Sequence, residues 1–356
     1  MAITRSLLLL IGLLSLPIIA AESLREQYAK PIAQWPAAST ADNLAPLALG
    51  PLENTTAPAS AQAIALGERL FHDPILSRDN SVSCSSCHDK ALIFQDSQRS
   101  AVGIDQQIGS RNTPPIFGVD HWQSFFWDGR ALTATEQALK PIENPIEMDL
   151  SIEEAIKRLN DSSDYQHAFH AVFGRREITP AMLAMTLVAF ERAIPAPDTK
   201  YQRFIKLAQT SPQQAIAVLS DSELEGLHLF RTKAKCMTCH EGPLLSDNAF
   251  HVTGFHMYGR RFEDLGRVMY TQNPKDTGAF RTPSLLGVTL TGPWMHNGLF
   301  TEFTPMIMQY NKGGFRPKPR GKHKDDPFFP VTSELIVPLN LNKREIAALV
   351  EFLEIL

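Results

Sequence analysis

Cys84-Ser85-Ser86-Cys87-His88 and Cys236-Met237-Thr238-Cys239-His240 are two copies of Cys-X-X-Cys-His, and together they use all four cysteines of a 356-residue chain. Two thiols three positions apart can form thioethers to the vinyl groups of one haem, with the next imidazole beneath the iron. The pair therefore predicts two covalent c-type haems attached through Cys84, Cys87, Cys236 and Cys239, with His88 and His240 as proximal ligands. A zinc site would bring its Cys-X-X-Cys halves closer together and has no need of a histidine directly after the second cysteine. A disulfide across two intervening residues is tight and belongs to redox centres.

Each motif sits in the same local plan: an amphipathic helix before it, a loop-rich stretch after it and a closing helix. Ala61 to Phe71 has helical periodicity and stops at Pro74. Ser151 to Glu154 reads as a capping box, Thr179-Pro180 opens a helix with Met182, Leu183, Leu187 and Phe190 as core, and Ser222 to Glu225 caps the helix leading to the second motif. Asn342 starts the last helix. Strand-like alternation is sparse, so the expected fold is mainly α: two c-type cytochrome-like domains, one haem each, at 59–210 and 211–356. Residues 22–58, with Pro31, Pro36, Pro46, Pro51 and Pro58, read as an extended arm.

Residues 1–21 have the outline of a signal peptide: Arg5, an apolar run from Leu7 to Leu16, and a cleavage site near Ala20-Ala21. The apolar run is too short to span a bilayer, and no later stretch is apolar enough to do so. The expected address is the periplasm, which suits covalent haem attachment. A formal charge of −4 gives no case for nucleic acid binding.

Between the two haem motifs come Ser110-Arg111-Asn112-Thr113-Pro114-Pro115, Phe126-Trp127-Asp128-Gly129-Arg130, Gln137, Pro141 and Asn144-Pro145-Ile146-Glu147-Met148. After the second comes Leu290-Thr291-Gly292-Pro293-Trp294-Met295-His296-Asn297-Gly298. This ordered set resembles the bacterial di-haem cytochrome c peroxidase and MauG family over nearly all of the chain after the arm. Trp127 stands ten residues before Gln137, fourteen before Pro141 and twenty before Glu147. The resemblance implies that Trp127 is an inter-haem tryptophan, that Gln137, Pro141 and Glu147 form a distal pocket, and that Glu147 is the acid/base beside peroxide. It also implies an inter-domain calcium ion on Asn112, Thr291 and Pro293, oxygen donors suited to a hard cation. Taken singly, such a tryptophan is ordinary core, such a glutamate an ordinary surface charge, and such an asparagine ordinary turn chemistry.

Two positions depart from the peroxidase branch. Eight residues before Asn112, where that branch carries a histidine that caps the resting first haem, this chain has Ile104. An aliphatic side chain cannot ligate iron, which leaves that haem open to peroxide; His72 and His121 remain as substitutes. Fourteen residues after His296, where the peroxidase branch has an axial methionine, stands Tyr310, as in the MauG branch, with Met295, Met306 and Met308 as competitors. A thioether favours ferrous iron, whereas a phenolate-like oxygen favours ferric and higher states.

The expected function is an exported, peroxide-using di-haem oxidoreductase, MauG-like, that oxidises aromatic residues of a periplasmic partner protein by long-range electron transfer. A peroxide-scavenging cytochrome c peroxidase fed by a small cytochrome or copper protein is the alternative among enzymes. A non-catalytic di-haem electron carrier or redox sensor is the alternative outside them.

Overall fold

The computed structural model describes residues 22–356, so the predicted signal peptide lies outside the described residues. Among the described residues twelve α-helices carry the fold: α1 Leu24–Tyr28, α2 Ala61–His72, α3 Ala134–Glu143, α4 Ile152–Asp161, α5 Ser163–Phe173, α6 Pro180–Ala193, α7 Lys200–Thr210, α8 Pro212–Ala215, α9 Asp221–Arg231, α10 Val268–Thr271, α11 Phe303–Asn311 and α12 Lys343–Leu353. The one sheet among the described residues pairs β1 Phe250–Val252 antiparallel with β2 Ala279–Arg281, with Phe250 opposite Arg281. The chain is mainly helical with little strand, as expected.

Two helix pairs repeat one packing solution. α2 crosses α6 at Gly67, where a methyl group would come within 2.2 Å of the Thr186 carbonyl oxygen and 2.8 Å of Phe190 Cβ. α9 crosses α12 at Gly226, where a methyl group would come within 2.1 Å of the Ala348 carbonyl oxygen and 2.6 Å of Phe352 Cβ. In each pair the glycine lets the helix before a haem motif lie directly on the backbone of the closing helix, and a phenylalanine one turn further on completes the contact.

Most helix ends follow the sequence reading, and the differences are local. Asn342 and Glu345 form a reciprocal capping box. Ser151 caps α4, but Glu154 turns to Arg158 at 3.3 Å instead of returning a bond to the cap, so only half of the expected box forms. The box of α9 is Ser220 with Glu223, two residues earlier than expected, because Glu223 reaches the Ser220 amide at 2.6 Å.

Residues 22–58 are not simply extended. Ser23 and Glu26 form a capping box that starts α1. This short helix docks on α9, where Arg25 Nε donates to Asp221 at 2.6 Å and Arg231 Nη1 donates to the Tyr28 hydroxyl at 3.1 Å, and the turn after it stacks Trp35 on Phe204 of α7 with ring centroids 5.9 Å apart. Buried side chains form two clusters. One gathers Leu66, Leu70, Leu159, Phe169, Leu183 and Leu187. The other gathers Tyr28, Tyr201, Phe204, Phe230, Leu349 and Phe352, so it takes in both the arm and α7.

Candidate functional site: two cavities with a common wall

Each Cys-X-X-Cys-His motif is a single 3-10 turn. The His88 amide donates to the Cys84 carbonyl at 3.0 Å and the His240 amide to the Cys236 carbonyl at 2.8 Å, which folds each histidine back beneath its two thiols. The Nδ1 of His88 donates to the Phe94 carbonyl at 2.7 Å, and the Nδ1 of His240 to the Leu245 carbonyl at 3.0 Å. A carbonyl can only accept, so both rings carry their proton on Nδ1 and leave Nε2 as a free lone pair, the form a metal requires. Burial favours the neutral form of both imidazoles, lowering their pKa values.

A cavity of about 420 Å³ opens over Cys84, Cys87 and His88, and its walls include Trp127, Gln137, Pro141 and Glu147. The side chains named for the distal pocket thus surround one space. Glu147 sits on the turn after α3, where Asn144 Nδ2 donates to its Oε1 at 2.6 Å and leaves Oε2 directed elsewhere. Burial raises its pKa, and the Arg130 charge and the Asn144 bond oppose that rise. The turn is held against the 101–109 loop, with the Ile104 amide donating to the Glu147 carbonyl at 2.9 Å. Gly103 is needed there, since a methyl group would come within 2.0 Å of the Ile146 carbonyl oxygen. Ile104 itself is fully buried in the first cluster. Neither His72 nor His121 lines the cavity, and His121 Nε2 is spent on the Glu53 carbonyl at 2.7 Å.

A second cavity of about 230 Å³ lies over Cys236, Cys239 and His240 and is lined by Tyr310, Met295 and Met306. Met308 is 43% exposed and is not among its walls. The Tyr310 hydroxyl has no hydrogen-bond partner among the described residues, and burial followed by the nearby Cys239 and Cys236 sulfurs raises its pKa.

The two cavities share Asn112, Pro114, Pro115, Trp122, Trp127 and Arg281. The Trp127 indole is pinned by its Nε1–H, which donates to the Asn112 carbonyl at 2.9 Å, and His296 packs edge-on to it with centroids 6.4 Å apart. Asn112 spends its amide NH2 on the Gln98 carbonyl at 2.9 Å, which leaves Oδ1 available as a hard oxygen donor; Thr291 lines the same second cavity, and Pro293 follows it by two residues. Those donors fit a calcium ion in kind.

Sequence reasoning missed Arg281. Its amide donates to the Trp127 carbonyl at 2.8 Å, its guanidinium lies 3.5 Å over the Trp122 ring, and its Nε and Nη1 have no partner. Burial lowers its pKa to about 9. A buried guanidinium without an anion is expensive, and the carboxylate side chains of two haems meeting at the common wall would supply what it lacks. The free Nε2 atoms, the unbonded thiols and this unpaired cation all fit two covalent haems. The only hint in the sequence is an arginine ending the otherwise apolar strand Ala279-Phe280-Arg281.

Arg111 ties the halves together behind this wall. It holds Asp264 through Nε at 2.7 Å and Nη2 at 2.9 Å, and Asp128 through Nη1 at 2.6 Å. Beside the second motif, His251 Nε2 donates to Asp247 at 2.7 Å, next to Cys239.

Comparison with known proteins agrees with two haems. The family model described as di-haem cytochrome c peroxidase matches residues 61–210. The chain is 33% identical to the methylamine utilization protein MauG of Methylorubrum extorquens over 84% of this chain and 79% of that one. It is 32% identical to the cytochrome c551 peroxidase of Nitrosomonas europaea over 68% and 70%. Among solved structures it is similar to a MauG-like protein associated with microbial copper homeostasis, at 30% identity and a TM-score of 0.71 over 87% of this chain and 92% of that one. No described helix is long and apolar enough to cross a membrane.

Proposed function

The chain belongs to the di-haem cytochrome c peroxidase and MauG family and is a peroxide-dependent oxidoreductase, and from that premise we propose that it acts as MauG does in kind, drawing electrons from aromatic residues of a partner protein. When bound, the two haems supply the redox-active iron at which peroxide is reduced. Cys84, Cys87 and His88 hold one; Cys236, Cys239, His240 and Tyr310 hold the other, in an N-terminal domain near 59–210 and a C-terminal domain near 211–356. Arg281 takes their carboxylates. A calcium ion on Asn112, Thr291 and Pro293 stiffens the junction, and the mature enzyme works in the periplasm.

Glu147 Oε2 accepts a proton from the near oxygen of peroxide and returns it to the far one, which leaves as water; Asn144 keeps Oε1 occupied so that the same oxygen performs both transfers. Gln137 orients the peroxide, and Pro141 closes the pocket. Trp127, in the wall of both cavities, passes electrons between them. The observation that carries the reading is Tyr310 at the second cavity. An oxygen ligand there suits keeping oxidising equivalents rather than collecting electrons from a small carrier. The scavenging peroxidase keeps some support from Met295 and Met306 in the same wall.

Peroxide added to the purified holoprotein without donor should give an oxidised spectrum that persists, and Glu147→Gln should slow its formation by about 10²- to 10⁴-fold with haem content unchanged. Immediate decay, together with rapid turnover of reduced cytochrome c that Tyr310→Phe leaves unaltered, would overturn the reading in favour of scavenging.

A further inference from the structure

Residues 316–324 place a cation at every second position: Arg316, Lys318, Arg320, Lys322 and Lys324, with His323 between the last two. The chain as a whole carries −4, so this loop runs against the sign of the molecule. Lys318, Arg320, Lys322 and Lys324 are exposed, and none of them is paired with a carboxylate among the described residues. The same holds for Arg260 and Arg261, whose loop abuts it at Gly259, where a methyl group would come within 2.9 Å of His323 Nε2. Arg99 and Arg261 flank the ring of Phe262, at 5.2 and 4.8 Å, and that ring is 59% exposed.

This loop is built in place. Tyr258 donates to Asp326 at 2.5 Å and packs on His323 and Phe329, while Arg316 reaches the Ile336 carbonyl at 2.5 Å and Thr332 the Phe315 carbonyl at 2.5 Å. Its return segment, Leu335 to Val337, is part of the wall of the second cavity. At the other edge Arg99 Nε donates to the Asn297 carbonyl at 3.1 Å, beside His296 and the common wall. A cationic face with exposed aromatic rings therefore lies over the C-terminal haem site and reaches toward the junction.

We infer that this face docks an acidic protein, which presents an aromatic side chain to the C-terminal half. The docking stands on charge; what the partner gives up rests on the function proposed above. Unpaired like charges gathered on one side of an acidic molecule repel one another unless a partner of opposite sign meets them, and such a field raises the on-rate of that partner by about 10- to 10³-fold at low salt. A basic carrier protein would be turned away. An anionic lipid surface fits less well, because the exposed carboxylates of Asp325 and Glu263 lie within the same face.

The probes are two peptides with one tryptophan each, one rich in glutamate and one in lysine, and the protein is the holoenzyme. The glutamate peptide should bind at least about tenfold more tightly at low salt than the lysine peptide, and the difference should vanish in Lys318→Glu/Arg320→Glu/Lys322→Glu/Lys324→Glu, with haem content and thermal melting as the control for folding. Equal binding of the two peptides, insensitivity to the four substitutions, or capture by phosphatidylglycerol vesicles that the glutamate peptide does not compete away would overturn the inference. Selective binding without peroxide-driven loss of tryptophan fluorescence would support the docking face and sink the proposed function; peroxide-driven loss without charge selectivity would do the reverse.

Discussion

Glu191 shows what a single buried residue can hide. It belongs to α6 and lines the first cavity, it is 8% exposed, and its carboxyl group has no hydrogen-bond partner among the described residues. Burial raises its pKa from 4.5 to about 7, and Arg192 opposes this only weakly. A carboxyl group whose folded pKa is raised favours the fold while protonated; that contribution is whole below pH 4.5 and is lost as pH rises through about 7. Glu191→Gln should therefore match the parent in stability at pH 4 and exceed it at pH 8 by on the order of 3 kcal/mol, read from denaturant midpoints. In the sequence it looks like the charged end of a helix. The haem-binding cysteines and histidines were legible because attachment chemistry fixes their spacing, whereas Glu191 and Arg281 become visible only when tertiary packing removes their water and partners.

At the scale of elements, the two glycine crossings are where helix lies on helix with no room for a methyl group. Gly67 and Gly226 occupy equivalent places before the two haem motifs, and both face a carbonyl of the closing helix. Gly226→Ala should cost about 3 kcal/mol, because α9 must rise off α12 and forfeit the contacts of Phe230 and Phe352 around it. Thermal melting with haem content measured in parallel checks this, and a melting temperature unchanged from the parent would contradict it. Helix existence was largely readable from apolar period and caps: α2, α6 and α12 begin where Ser60, Thr179 and Asn342 accept the first amides. The arm was read as extended because it carries five prolines and few apolar residues at periodic spacing. Its helix depends on a local box at Ser23 and on a distant surface that no window of sequence contains.

The whole molecule is organised by the wall its two cavities share, and Arg111 is the tie behind that wall. With Asp128 6% and Asp264 12% exposed, removing the cation strips Asp264 of its ion-pair partner in a nearly dry site and leaves Asp128 with Arg130 alone. Arg111→Met should lower stability by about 3–5 kcal/mol and slow electron exchange between the haems, as followed by melting and by stopped-flow reduction. An unchanged melting temperature would mean that the halves are held by something else. The resemblance in motifs put Trp127 between the haems, but gave no hint of Trp122 and Arg281 beside it in the common wall. That wall is assembled from loops around 112–127 and 281–296, whose meeting depends on the pairing of Asn112 with His296 and of Arg281 with Trp127.

α1 docks on α9 and on the carbonyls of Ile216 and Leu219, and α12 closes over α9 from the other side. The earliest described helix to leave the ribosome thus finds its seat only after nearly two hundred further residues have been made, and that seat is finished by the last helix of all. During synthesis the arm has nothing to fold against, and its Tyr28 and Trp35 remain bare to proteases and chaperones. The packing of α9 against α12 is what finishes their shelter, so a chain cut short before α9 would leave Tyr28 and Trp35 exposed.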